Sequence, residues 1–88
     1  ATDPKRRRVA ELTLEIEVLD VKRHLALSEA ELRTARVAVE SGFKTAEDIL
    51  PIELAIQKAK KKLERAELRL ELFRGDDDAS EPDAEQQD

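Results

Sequence analysis

Cysteine, methionine, tryptophan and tyrosine are absent from this chain, and Phe43 and Phe73 are its two aromatic residues. Without cysteine there can be no disulfide framework and no thiolate metal site, an absence that suits the cytosol and a bacterial periplasm equally. His24 is the lone histidine, and no matching cluster of acids in the sequence turns it into a metal ligand. Gly42 and Gly75 stand alone, so a glycine-rich phosphate loop is excluded. No apolar run approaches the roughly 18 residues that would span a bilayer. The chain begins at Ala1 without a methionine, which leads us to expect processing or excision from something longer.

At 88 residues the chain has room for one small domain and too little buried surface for a formed active-site cleft. Ser28 could act as a nucleophile only with a base and a pocket, and neither is in sight; its hydroxyl is expected to return to a backbone carbonyl. Catalytic, cofactor-binding and metal-ligating residues are therefore all expected to be none, and the chain reads as a non-enzyme.

What the chain does have is charge. Charged residues make up 42%, and the accompanying wealth of Ala, Glu, Lys, Leu and Arg is the composition of long helices. The net charge of −5 averages two unlike regions. From Gly75 to Asp88 there are seven acids and no base, whereas the first 74 residues carry 14 acids and 16 bases.

Asp3-Pro4 reads as a helix start, Asp as the cap and Pro as the first helical residue. No Gly or Pro then intervenes until Ser41-Gly42, a helix stop. Thr45-Ala46-Glu47-Asp48 resembles a second cap, while Pro51 requires either a short kinked first turn or a long helix starting near Leu50. The expected organisation is a helical hairpin over 1–75 (helix 4–41, turn 42–46, helix 47–74, ended by Gly75), followed by a disordered acidic tail over 76–88.

Two apolar seams set the fold class. Leu14, Val18, Val21, Leu25, Ser28, Leu32, Ala35 and Val39 recur at alternating fours and threes, as do Ile49, Ile52, Ile56, Ala59, Leu63, Ala66, Leu70 and Phe73. This overrides the short alternation at Leu12, Leu14, Ile16 and Val18 that would suit a strand. The class is all-α, a two-helix antiparallel coiled-coil hairpin able to dimerise into a four-helix bundle.

Charges beside the seams suggest a register. Glu15 with Arg74, Lys22 with Glu67, Glu29 with Lys60 and Arg36 with Glu53 are all opposite in sign when the helices run antiparallel. That alignment stacks Val18 on Phe73 and Val39 on Ile52, and leaves Lys5 to about Leu14 projecting past the second helix.

Three features point outward. Leu12, Leu14, Ile16 and Leu19, with Leu68 and Leu72, gather at the open end and are expected to form an interface with a further copy or another helical protein. Lys5, Arg6, Arg7 and Arg8 sit at a helix N-terminus, where the dipole disfavours them, so anionic lipid headgroups, nucleic acid or the acidic tail are candidate partners. Lys58, Lys60, Lys61, Lys62 and Arg65 read as a solvated face, partnered by Glu29 and Glu64; nucleic-acid binding is disfavoured because no aromatics interleave to stack on bases.

The turn Gly42, Phe43, Lys44, Thr45, set between alanine-spaced seams, resembles the tip of the α-helical hairpins of bacterial periplasmic adaptor (membrane-fusion) proteins and the related repeats of outer-membrane efflux proteins. The resemblance covers about Leu14 to Phe73. It implies a periplasmic or envelope spacer that bridges partners, with Thr45 where the adaptor tip carries a Ser. Thr34 and Ala38 stand where those tips carry an Arg and a Leu. VESGFKTAEDIL, the later KLERAELRLEL and the acidic tail also resemble the small subunit of exonuclease seven, which implies a cytosolic accessory subunit of a nuclease.

Overall fold

The computed structural model describes residues 3–79, with side chains described for residues 3–76. It is an all-α hairpin of two helices, α1 (Pro4–Glu40) and α2 (Leu50–Ala79), joined by a turn and a short 3-10 helix (Ala46–Ile49).

Local chemistry sets most boundaries. The Asp3 carboxylate accepts from the Lys5 N–H at 2.9 Å and Pro4 occupies the first helical position, so α1 starts as the sequence dictates. At its far end Gly42 takes a left-handed φ of 84°, which lets the Phe43 N–H reach the Ala38 carbonyl at 2.8 Å and the Gly42 N–H the Val39 carbonyl at 3.0 Å. That double closure satisfies two carbonyls the helix end would otherwise orphan. Thr45 then begins the second leg, its N–H bonded at 2.9 Å to the Asp48 carboxylate. The 3-10 helix takes up the residues before Pro51, and α2 proper starts at Leu50, so proline falls in its first turn, where its missing N–H leaves no bond unmade.

Gly75 does not end α2. The helix passes through it to Ala79, with no positive φ at that glycine. Asp76 to Ala79, expected in a disordered tail, are thus helical; residues 80–88 of that expected tail lie outside the described residues.

All sixteen seam positions are buried or half-buried, and the most deeply buried of them are mostly small. Ala35, Ala59 and Ala66 are the smallest of the buried set, joined by Val18, Ile56 and the polar Ser28, and among the described residues no large side chain is fully buried. A core this thin holds the helices close yet withdraws little apolar area from water. The Ser28 hydroxyl, expected on a backbone carbonyl, makes no hydrogen bond to a described residue; Thr13 does close that bond, to Val9 at 3.0 Å.

The register departs from the expected one. Arg7 lays its guanidinium 4.2 Å from the centre of the Phe73 ring and donates to the Phe73 carbonyl at 2.9 Å. Had Phe73 faced Val18, Arg7 would have been about 16 Å away along the axis, beyond an arginine's reach. A displacement of one heptad meets the contacts: it sets Val18 against Ala66 and Ser28 against Ile56, pairs in which both residues are buried, and brings Glu11 up to Phe73 and Arg74. Of the four expected charge pairs, Arg74–Glu15 (2.8 Å) and Arg36–Glu53 (3.7 Å) close. Lys22–Glu67 and Glu29–Lys60 do not; arginine spans the extra offset and lysine falls short. Lys5 to Leu14 therefore does not overhang: α2 runs alongside it.

Candidate interaction surfaces

The open end is built as a charged clasp. Arg74 on α2 donates to Glu11 at 2.9 Å and to Glu15 at 2.8 Å on α1. Arg8 closes on Glu11 at 2.8 Å and lies 3.5 Å from Glu15, and one turn further along Arg69 bonds Glu17 at 2.8 Å. The hydrogen bond from Arg74, and then that from Arg8, hold the Glu11 carboxyl below its ordinary value of 4.5 against a weaker desolvation. Reciprocally, Glu11 first and then Glu15 push the Arg74 guanidinium up. At the other end the Thr45 N–H keeps the Asp48 carboxyl below its ordinary value.

This clasp divides the basic cluster. Arg7 is committed to Phe73, and Arg8 to the two glutamates. Lys5 and Arg6 are exposed and make no ion pair among the described residues.

The apolar residues expected at the open end fall into three groups. Leu14 belongs to the inner seam and is half-buried. Ile16 and Leu19, 57% and 62% exposed, lie with Leu12 on the side of α1 turned away from α2. Leu68 and Leu72 lie on the outer side of α2, beside the stems of Lys61, Arg65 and Arg69. The expected single patch is therefore two stripes that face apart across the hairpin. Sequence reasoning missed Val9, also exposed, although its three-residue step to Leu12 marks it as the start of the α1 stripe.

Two further surfaces complete the picture. The tip presents Phe43 at 85% exposure on the bonded turn of Gly42, Lys44 and Thr45. Along the middle of α2, Lys58, Lys61, Lys62 and Arg65 line a shallow groove with Leu54 and Gln57, and none of the four cations is ion-paired among the described residues, Glu64 notwithstanding. His24 is an exposed residue flanking the seam. Among the described residues no group of His, Asp and Glu is placed to hold a metal ion, and no helix is long and apolar enough to cross a membrane.

Comparison with protein families, with curated proteins and with solved structures finds no match to this chain.

Proposed function

We propose that this chain is a non-enzymatic interaction module, a hairpin spacer that engages helical partners, a further copy of itself among them, through apolar stripes on its outer faces. The observation that carries this reading is the stripe of Leu12, Ile16 and Leu19, left in solvent although the helix already has a complete inner seam. Apolar residues at helical spacing on a face with no partner among the described residues favour a partner outside the hairpin. Coiled-coil packing is the mode proposed both for the hairpin and for its association. The exposed Phe43 gives the spacer a contact point at its tip, and the resemblance of that turn to periplasmic adaptor hairpins supports a place in a bacterial envelope or efflux-type assembly.

The test is the solution mass of the wild type between about 5 and 500 µM by light scattering, beside Leu12→Glu/Ile16→Glu and Leu68→Glu/Leu72→Glu. Association that one of the two variants abolishes while helicity is retained is the expected result. A wild type that stays monomeric throughout, with both variants indistinguishable from it, would overturn the reading.

A further inference from the structure

Val9, Leu12, Ile16 and Leu19 follow one another at steps of three, four and three, which is a second seam on α1, turned away from the first. Those steps read the same in both directions. Turned about a two-fold axis midway between Leu12 and Ile16, the stripe lays Val9 on Leu19 and Leu12 on Ile16, so every exposed apolar residue in it meets another. Resting on the reading above, we infer that the occupant of this stripe is α1 of a second copy of the chain, running antiparallel.

The flanking charges favour the antiparallel direction over the parallel one. Along one edge of the stripe stand Arg6, Thr13 and Asp20, all exposed, and Arg6 and Asp20 make no ion pair among the described residues. In the two-fold arrangement each Arg6 comes opposite the other copy's Asp20, twice by symmetry, and Thr13 faces Thr13 on the axis. Along the other edge are Arg8, Glu15 and Lys22. Glu15 there meets its own equivalent and Arg8 approaches Lys22, but Glu15 is already held by Arg74 at 2.8 Å and Arg8 by Glu11 at 2.8 Å within each hairpin. Parallel pairing would set Glu15 against Asp20 and bring no opposite charges together.

The arrangement has a shape that suits a spacer. The stripe lies near the start of α1, so the two hairpins overlap at their open ends and point their Phe43 tips in opposite directions. At 1.5 Å per residue from the two-fold axis to each turn, the tips stand about 85 Å apart. The two α1 helices are central and the two α2 helices outermost, so the Leu68 and Leu72 stripe stays outside the contact. A closed four-helix bundle using both stripes at once does not form, because they face apart.

The chain has no cysteine, so single substitutions give unambiguous cross-links. Val9→Cys and Leu19→Cys are each oxidised alone and as an equimolar mixture at a concentration where the wild type is dimeric. Disulfide dimers in the mixture, with neither variant linking efficiently to itself, are expected. Alongside, Arg6→Glu and Asp20→Lys should each weaken dimerisation about three- to tenfold, and the double variant should restore it. Helicity by circular dichroism establishes that each variant is folded. Self-linking of Val9→Cys, or association lost on Leu68→Glu/Leu72→Glu and retained on Leu12→Glu/Ile16→Glu, overturns the inference and leaves the interaction-module reading intact. A monomeric wild type overturns both.

Discussion

Gly42 and Gly75 differ in backbone, not in surroundings: a methyl group added at either meets nothing within 4 Å. Gly42 holds a φ of 84°, which an L-residue adopts at a cost of about 1–2 kcal/mol. Gly75 is helical, where glycine is about 1 kcal/mol less favourable than alanine. Alanine should therefore act in opposite directions at the two sites, lowering the melting temperature at 42 and raising it at 75. Destabilisation by Gly75→Ala in a thermal melt would show that α2 in solution stops where the sequence suggests. Ser28 offers a second test at this scale. Its hydroxyl is buried among apolar seam residues with no bond to a described residue, and a buried polar group without a partner costs about 1–3 kcal/mol. Ser28→Ala keeps nearly the same volume and should stabilise the hairpin by up to about that amount, read from urea melts at unchanged m-value.

Each helix, taken by itself, carries unfavourable charge at the open end. α1 begins with Lys5 to Arg8 and no acid in its first turn, and α2 has no base in its last. Side by side the ends compensate: Arg7 bonds a carbonyl near the C-terminus of α2, where the dipole favours a cation, and Arg74 answers Glu11 and Glu15. The sequence could not show this, because the benefit lies across the hairpin and its discovery requires the register. The helices themselves were legible, from Asp3-Pro4, from Gly42, and from seams whose residues are all at least half-buried. Stop signals were legible only in part, since glycine serves both as a left-handed cap and as an ordinary helical residue. The clasp predicts a pH response. Glu11 is held below 4.5 in the fold, so its stabilisation is complete above that value and fades as the pH falls through the lowered one. Melting temperature should drop in acid, and Glu11→Gln should flatten part of that limb while lowering the plateau near neutral pH. An acid limb unchanged in Glu11→Gln would show that other carboxylates govern it.

Over the whole molecule, the question a repeating pattern leaves open is which repeats meet. Sliding one helix by seven residues returns every seam residue to a seam position, so heptad periodicity cannot choose between registers, and only the ends and the flanking charges differ. The charges favour the alignment that places Lys22 opposite Glu67, whereas the contacts of Arg7, Glu11 and Glu17 with α2 belong to the alignment one heptad away. That alignment keeps Leu14 in the seam and gives Phe73 its cationic cover, at the cost of setting Lys22 nearest to Lys60. The two alternatives make opposite predictions for Lys22→Glu. Position 22 has no charged residue three or four places away along α1, so the change acts almost wholly across the hairpin. In the structure's register it replaces a like-charged approach with an attraction to Lys60 and should raise stability by about 0.3–1 kcal/mol, a few degrees in melting temperature. In the register drawn from charges alone it would break a pair with Glu67 and set two glutamates together, lowering stability by a similar amount. Melts at a few µM and low salt, where association is minimal and charge effects are least screened, read the sign directly. A Lys60→Glu background should abolish the gain, because the attraction at position 22 then becomes a repulsion; persistence of the gain there would exclude the Lys22–Lys60 approach as its source.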